Sequence, residues 1–253
     1  MSVHVFGVTG LPLIHPGDDL PALLCGKVGF SDGDILCLAS TVYSKSKGYV
    51  RTLASITPGP VALQIAGRDH EDPRFVQSVL DEATEVLLDD PFILSEMVHG
   101  HIGVRSGVDR SNIEDGFVIL LPPDPKAAAE DIRTRIREIS RADIGVIITD
   151  TVGRAFRRGQ TGHAIGWSGM PAIRDFRGDQ DLFGHTLQIT EEAVIDEIAG
   201  FGNFIMGESN QGVPAVVFRG CGRWSGHDNL YFSPKEDVMR KALKCLQEKR
   251  SIR

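Results

Sequence analysis

Short apolar runs rich in β-branched residues alternate along the chain with longer segments whose apolar residues recur every three or four positions. The short runs predict β-strands at 3–8, 35–40, 98–104, 117–121, 146–148 and 213–220. The longer repeats predict helices over 72–88, 127–139 and 190–206, and in the tail after Ser233. Strands that alternate with helices predict an α/β (mixed α+β) fold: mixed sheets flanked by helices, with functional loops at the strand ends.

The segment after the predicted strand at 35–40 allows two interpretations. Ser40, Thr41 and Lys45 follow the strand closely, and hydroxyls and a lysine in that position can hold a nucleotide. A hairpin between ILCLAS and YVRTLAS, with solvated lysines, is the simpler interpretation, and the pattern alone favours it. Further on, 167–183 is rich in glycine and charge, as expected of a surface loop or a substrate lid.

The stretch from 145 to 166 carries the densest candidate chemistry. Its apolar start predicts a buried strand that ends at Asp150 and Thr151. Three arginines follow within a glycine-rich loop: Arg154, Arg157 and Arg158. Guanidinium groups pair with phosphate oxygens, and a neighbouring carboxylate can hold a divalent cation that bridges phosphates, so the stretch predicts a metal-assisted phosphate site. A loop whose arginines are solvated, or pair with acids elsewhere, fits the composition equally well.

A second polar segment, GVDRSN, follows the predicted strand at 98–104. Its Asp109 and Asn112 have oxygen atoms that could serve as ligands. They could equally be Asx-turn residues that satisfy their own backbone, which is the commoner case.

Composition and charge narrow the classes of function. The chain has 253 residues, enough for one large domain or two small ones, and a net charge of -7 gives no reason to expect nucleic acid as a partner. Four scattered cysteines (Cys25, Cys37, Cys221, Cys245) predict reduced thiols rather than disulfides or a zinc site. We find no secretory signal and no apolar run long enough to span a bilayer, so we expect a cytoplasmic protein without membrane partners.

The standard nucleotide motifs are missing from the sequence. There is no GxxxxGK[ST], which excludes a P-loop enzyme, and no GxGxxG opens a helix after a strand. Asp150-Thr151-Val152 lacks a second aspartate two residues on, which counts against an aspartyl-phosphate hydrolase.

Six motifs spread over nearly the whole chain occur together: GLPLIHPGDDL, ILCLASTVYSKSKG, GVDRSN, ITDTVGRAFRRGQTGHAIG, DLFGHTL and MGESNQGVPAVVFRG. In this order they resemble the coenzyme F420:L-glutamate ligases, also called gamma-glutamyl ligases, in their stand-alone archaeal form. The resemblance implies two interleaved subdomains that form a single catalytic unit over 1–253, and a homodimer. One departure is Arg105-Ser106, which replaces the usual Asn-Ala and puts in doubt the packing around Asp109 more than its role.

The resemblance implies a GTP-dependent, amide-forming ligase. Its substrate is a deazaflavin, coenzyme F420-0, whose phospholactyl tail ends in a carboxylate. GTP would phosphorylate that carboxylate, and the amine of L-glutamate would displace the phosphate from the resulting acyl phosphate. A second glutamate would follow through a γ-linkage. Aligning two anions that repel each other requires divalent metal and fixed cationic donors.

The resemblance also implies residue roles. Asp109 and Asp150 match the ligands of one divalent cation, and Thr151 and Glu208 those of a second, with Mn²⁺ or Mg²⁺ the expected ions. A monovalent cation, K⁺, is a further expectation. Positions that match GTP contacts or lie in the nucleotide region are Gly10, Leu11, Pro12, Leu13, Ser40, Thr41, Lys45, Asn112, Met206, Gly207, Ser209, Asn210, Gln211, Gly212 and Val213. Asp150, Arg154 and Arg157 are expected to be catalytic, and the arginines are assigned to phosphate by charge rather than by motif.

Three other functions use the same groups. A nucleotide-binding regulatory protein would keep the pocket without the chemistry. The intact acids Asp109, Asp150 and Glu208 argue against this alternative. A metal-dependent phosphohydrolase would use water where the ligase uses glutamate, and composition does not separate the two. A ligase of the same type could act on another phosphorylated or carboxylated acceptor.

Overall fold

The computed structural model describes residues 2–251, and of residues 248–251 it describes only the backbone. The last two residues of the predicted basic tail, Ile252 and Arg253, lie outside this range. The helices are α1 (Leu20–Cys25), α2 (Ser40–Lys47), α3 (Pro60–Asp69), α4 (Pro73–Glu82), α5 (Pro125–Ser140), α6 (Val194–Met206) and α7 (Val238–Ser251). The strands are β1 (His4–Val8), β2 (Ile35–Ala39), β3 (Val50–Thr52), β4 (Glu85–Leu88), β5 (Leu94–Glu96), β6 (Ile102–Val104), β7 (Phe117–Ile119), β8 (Gly145–Gly153), β9 (Gln160–Ser168), β10 (Ile173–Asp175), β11 (Glu191–Glu192), β12 (Ala215–Arg219) and β13 (Gly226–His227).

The chain divides into two compact units, each built from two separate stretches of sequence. The larger unit combines Met1–Lys47 with Asp124–Leu230, and the smaller unit combines Gly48–Pro123 with Tyr231–Arg253. The expectation that the whole chain is a single catalytic unit stays a prediction.

A five-stranded sheet forms the centre of the larger unit, in the order β1-β12-β2-β8-β9. Only β2 and β8 are parallel; the other neighbours are antiparallel. Alternate residues of β2 face opposite sides of the sheet, and Ile35, Leu36, Cys37 and Leu38 are all buried, so both faces are covered. Helix α6 packs against one face, and α5 packs against β8 and β9 on the other. The predicted α/β fold with mixed sheets flanked by helices is confirmed.

Two glycines of β9 let these helices approach the hairpin formed by β8 and β9. A Cβ atom at Gly162 would lie 2.6 Å from the carbonyl oxygen of Ala199 on α6. A Cβ atom at Gly166 would lie 2.1 Å from the carbonyl oxygen of Pro125, at the start of α5. Backbone atoms cannot yield to such contacts as the end of a flexible side chain can, so both helices depend on glycine at these positions.

The smaller unit has its own apolar core between α3, α4 and β7, which includes Ile65, Phe75, Val79 and Val118. It contains a three-stranded sheet, β4-β5-β6, and a two-stranded sheet, β3-β7. Helix α7 is joined to the three-stranded sheet by Arg240, whose buried guanidinium pairs with both Glu85 and Glu96. A buried arginine is stable only when paired in this way, so this ion pair fixes α7 in the unit.

Three of the sequence predictions are wrong. The segments 35–40 and 49–55 do not form a hairpin: β2 continues directly into α2, and β3 pairs with β7 instead. The helix predicted over 72–88 ends at Glu82, and 85–88 form strand β4, because these residues pair with β5. The helix predicted from Thr190 begins at Val194, since Glu191 and Glu192 pair with β10.

Other predictions hold with altered bounds. The helix at 127–139 is α5, and the strands at 3–8, 117–121 and 213–220 are β1, β7 and β12. Of the strand predicted at 98–104 only 102–104 is extended, and 94–96 form the strand that the prediction missed. The predicted loop at 167–183 contains strand β10, and its first residue, Trp167, is buried in β9. Each difference concerns a short segment where pairing partners decide the conformation.

We predict that Gly166→Ala lowers the free energy of unfolding by about 1–3 kcal/mol, because the added methyl group overpacks the contact with α5. Gly153→Ala in the same hairpin is the matched control, since a Cβ there meets nothing within 4 Å. Urea denaturation of the two variants measures the difference. Equal unfolding midpoints would contradict the close contact between β9 and α5.

Candidate functional site

The order and direction of the strands bring four separate sequence segments to one edge of the five-stranded sheet. Val8, at the end of β1, and Leu38, near the end of β2, are both in register with Ala215, the first residue of β12. Ala39 of β2 is in register with Thr149 of the parallel strand β8. The segments that follow β1 and β2, the end of β8 and the loop before β12 therefore meet. We call this region the polar edge: residues 10–13, 40–45, 149–153 and 206–213.

Asp150 and Thr151 lie inside β8 rather than at its end. The sequence predicted that the strand ends at these two residues, and that prediction is wrong: β8 continues to Gly153 and pairs with β9, with Asp150 opposite His163. The last residues of β8 thus extend beyond β2, whose last residue, Ala39, is opposite Thr149. Successive side chains of a strand point to opposite faces, so Asp150 and Thr151 face different neighbours.

Asp150 faces the start of α2, where the Ser40 hydroxyl donates to its Oδ1 atom at 3.3 Å. Helix α2 begins at this edge, so the backbone N–H groups of its first turn point towards it. These groups have no partner within the helix. Helix N-termini of this kind bind phosphate. Ser40 and Thr41, the predicted nucleotide contacts, occupy this turn, and Lys45 lies half-buried on the same helix.

Thr151 faces the end of α6, where it meets two further polar side chains. Its hydroxyl lies 2.9 Å from Oε1 of Glu208 and 3.3 Å from Oδ1 of Asn203. The Asn203 amide donates to the same Glu208 oxygen at 2.8 Å. The sequence analysis missed Asn203. The signal that could have found it is a lone amide in the otherwise apolar run GFGNFIM.

The polar edge has the chemistry of a site for hard divalent cations. Asp150, Thr151 and Glu208 offer carboxylate and hydroxyl oxygens, the ligands that Mg²⁺ and Mn²⁺ prefer. Glu208 follows the carbonyl end of α6, which ends at Met206 and carries partial negative charge. The residues present at this edge therefore fit a divalent cation.

The three predicted phosphate arginines occupy the turn between β8 and β9. Arg157 and Arg158 are exposed, whereas Arg154 is half-buried and its Nε atom is buried with no hydrogen-bond partner within residues 2–251. Over the same residues, none of the three forms an ion pair with a carboxylate. The alternative in which they pair with acids elsewhere is wrong, and the structure leaves their charges for a ligand or solvent.

The loop before β12 is held in shape by Gln211. The Ser209 backbone N–H donates to Oε1 of Gln211 at 2.9 Å. A Cβ at Gly207, where φ is +71°, would lie 2.6 Å from the Gln211 amide carbon, so only glycine fits there. The predicted nucleotide residues Asn210, Gly212 and Val213 belong to this ordered loop.

The glycine-containing segment after β1 completes the polar edge. Gly10 has a φ of +70°, which only glycine adopts readily, and it begins the predicted nucleotide segment. Leu11 and Pro12 continue it, and the Leu13 side chain is 84% exposed. A leucine that exposed beside polar groups is free to contact a flat apolar ligand surface.

Asp109 and Asn112 belong to the smaller unit. Asp109 accepts a hydrogen bond from the Ser111 backbone N–H at 2.8 Å, which is the Asx-turn interaction that the sequence left open. Asn112 is exposed and has a φ of +52°. The unusual Ser106 is buried, and its hydroxyl donates to the carbonyl of Val79 at 2.7 Å, so the smaller unit accommodates it.

One other group of side chains in the larger unit has the spacing of metal ligands: Asp175, Glu191 and His227. Arg177 already donates to Asp175 and lies 3.3 Å from Glu191, and His227 contacts the same glutamate at 2.6 Å. The hydrogen bond from Arg177 lowers the pKa of Asp175 to about 2. We therefore interpret this group as an ion-pair cluster that joins β10, β11 and β13.

The cysteines play no part in either group. All four are free thiols, as predicted, and burial raises the pKa of Cys37 to about 12. A thiol with so high a pKa is neutral at physiological pH and is a poor nucleophile.

None of the helices within residues 2–251 is long and apolar enough to cross a bilayer.

The fold and the polar edge together define an α/β protein that gathers carboxylate and hydroxyl oxygens and a helix N-terminus at one sheet edge. The family described as F420-0:Gamma-glutamyl ligase matches residues 9–220. The chain is 49% identical over 250 residues to the coenzyme F420:L-glutamate ligase of Archaeoglobus fulgidus, covering 97% of this chain and 100% of that protein. It is 46% identical to the protein of the same name from Halobacterium salinarum, covering 96% and 97%. For that of Methanosarcina mazei the identity is 42%, covering 99% and 100%.

The chain therefore belongs to the F420-0:gamma-glutamyl ligase family, and the resemblance noted in the sequence is confirmed. The match extends over nearly the full length of each relative, so both structural units are included in it. The description of the family and the names of these relatives are those of ligases that act on coenzyme F420.

We predict that the purified protein binds Mn²⁺ and that Asp150→Asn raises the dissociation constant at least 10-fold, because it removes a charged ligand. Asp175→Asn is the matched control, since its carboxylate is occupied by Arg177. Isothermal titration with MnCl₂ measures both. If Asp175→Asn lost Mn²⁺ binding and Asp150→Asn kept it, the cation would lie at the cluster of Asp175, Glu191 and His227.

Proposed function

We propose that this protein joins L-glutamate to the terminal carboxylate of the phospholactyl tail of coenzyme F420-0, with GTP as the phosphoryl donor, and then adds a second glutamate by a γ-linkage. The observation that supports this most directly is the contact of Thr151 with Glu208 at the polar edge, with Asp150 next to Thr151 in β8. Three arginines follow Thr151 in the same hairpin, and none of them pairs with a carboxylate among the side chains that the structure describes. The chain that carries these groups matches known ligases from end to end.

A carboxylate is a poor electrophile, so the proposed reaction has two steps. In the first, a carboxylate oxygen attacks the γ-phosphorus of GTP, the bond to the β-phosphate oxygen breaks, and GDP leaves. In the second, the glutamate nitrogen attacks the acyl carbon, loses a proton, and expels inorganic phosphate. The phosphate that leaves carries the oxygen that began on the substrate carboxylate. The intermediate between the two steps is an acyl phosphate, in which phosphate is a good leaving group and makes the acyl carbon reactive.

The first step brings two anions together, and the polar edge carries groups that suit both. Arg154 and Arg157 would pair with phosphate oxygens, and the first turn of α2 would supply N–H donors. Asp150, Thr151 and Glu208 would hold divalent cations, Mn²⁺ or Mg²⁺. Such cations neutralise the charge that develops on the transferred phosphoryl group. A role for Asp109 as a cation ligand rests on the family resemblance alone.

The loops at the edge suit the nucleotide. Residues 10–13, Ser40, Thr41, Lys45 and the loop 206–213 converge there from different strands. A role for Asn112 in holding the nucleotide rests on the family resemblance alone. Concave edges at strand ends are the usual ligand sites of α/β sheets. The homodimer, the bound K⁺ and the cytoplasmic location stay predictions from the resemblance.

The test of the proposal follows the carboxylate oxygen. F420-0 labelled with ¹⁸O in its terminal carboxylate is incubated with GTP, MnCl₂ and L-glutamate, and the released phosphate is analysed by mass spectrometry. We predict one ¹⁸O atom in the phosphate released by the first addition and none in the phosphate released by the second, because each acyl phosphate transfers an oxygen of the carboxylate that is being activated.

The same reaction in ¹⁸O-labelled water, with unlabelled substrate, is the control. Label that enters phosphate from water, with none from the carboxylate, would mean that the protein is a phosphohydrolase. Glutamyl product without any label in phosphate would contradict the acyl phosphate and leave the ligase in place.

A further inference from the structure

Asn203 lies in the last turn of α6, directly over the hairpin of β8 and β9. A Cβ atom at Gly162 would come within 2.6 Å of the Asn203 Cβ atom, so the glycine lets this part of the helix rest on the strand. Gly162 is in register with Thr151, which explains why Asn203 reaches Thr151. The close approach of helix and strand therefore fixes where the Asn203 amide sits.

The Asn203 side chain is not needed to end the helix. The N–H of Gly207 donates to the backbone carbonyl of Asn203 at 2.9 Å, a contact that any residue at position 203 would supply. The side-chain amide instead contacts Thr151 and Glu208, two of the expected cation ligands. Its polar contacts therefore belong to the site rather than to the helix.

The Thr151 hydroxyl has a single hydrogen and two acceptors within reach, Glu208 at 2.9 Å and Asn203 at 3.3 Å. A bound cation would take lone pairs of the Thr151 hydroxyl and of the Glu208 carboxylate. The carboxylate would then be a poor acceptor for the hydrogen of the Thr151 hydroxyl. Oδ1 of Asn203 is the remaining one. The Asn203 Nδ2 group meanwhile keeps its hydrogen bond to Glu208, which limits the rotation of the carboxylate.

We propose that Asn203 is a positioning residue that orients Thr151 and Glu208 for a divalent cation. This inference rests on the proposed function, which makes those two residues cation ligands. Outer partners of metal ligands fix the direction of the ligand atoms, and their loss typically weakens metal binding 10–100-fold. Asn203 supplies both a donor and an acceptor, so no apolar residue of similar size replaces it.

The experiment measures Mn²⁺ binding without nucleotide, by the electron paramagnetic resonance signal of free Mn²⁺. Asn203→Leu keeps the branching at Cγ and removes both hydrogen bonds, and Asn203→Ala removes them without a risk of overpacking. Glu197→Gln, at an exposed position of the same helix, is the control. We expect both Asn203 variants to bind one Mn²⁺ about 10–100-fold more weakly, with a melting temperature close to that of the control.

A second measurement separates positioning from ligation. Because the ligands themselves remain, a high Mn²⁺ concentration should restore kcat in Asn203→Ala, whereas Glu208→Gln should stay inactive. Asn203 variants that bind Mn²⁺ like the wild type would overturn the inference while leaving the proposed function intact. A wild-type protein that binds no Mn²⁺ would overturn both.

Discussion

The parallel pairing of β2 with β8 is the constraint on which the polar edge depends. All other neighbours in the five-stranded sheet are antiparallel, so this one pair decides which loops share an edge. Because Ala39 is opposite Thr149, the start of α2 lies beside Asp150. A shift of one residue would turn Asp150 to the face occupied by α6 and would separate it from Ser40. The chemistry of the edge is thus set by strand register.

A second constraint is the distance between α6 and the hairpin of β8 and β9. Gly162 allows helix and strand to touch, and Gly202 allows the same helix to approach Cys37, since a Cβ there would lie 2.8 Å from the sulfur. The helix then ends beside Thr151, and Glu208 follows it. Oxygen ligands from a strand and from a loop thereby come within hydrogen-bond distance. Rigid elements that hold such groups give a site its geometry before any ligand binds.

Much of the fold could be predicted from the sequence because its strongest patterns match its longest elements. The buried strand at 146–148 and the amphipathic helix α5 follow directly from periodicity. The failed hairpin between 35–40 and 49–55 shows the limit. A strand next to a polar, lysine-containing segment does not reveal whether the chain turns back or begins a helix, because the choice depends on partners far along the sequence. The strand β8 also passes Asp150 because β9 pairs with it there.

The same distinction applies to the candidate site. Asp150, Thr151 and the arginines stood out by residue type and spacing, since three arginines within five residues, beside a carboxylate, suit phosphate and a divalent cation. Asn203 did not, because its role comes from a helix–strand contact between residues 162 and 203 that no local pattern encodes. For Asp109 and Asn112 the residues left open a choice between ligands and turn residues, and the local geometry of Asp109 is that of an Asx turn. Sequence thus indicates which groups carry charge, and packing decides which of them meet.

The most direct test of the account is the product mass spectrum of the wild-type protein and Asp150→Asn. Each is incubated with GTP, MnCl₂, L-glutamate and the glutamate-free deazaflavin. The account predicts that the wild type adds one or two glutamyl units in step with GDP release, and that the variant, still folded, forms neither product. Glutamyl addition by the variant at the wild-type rate would contradict the central claim that the polar edge is where the reaction occurs.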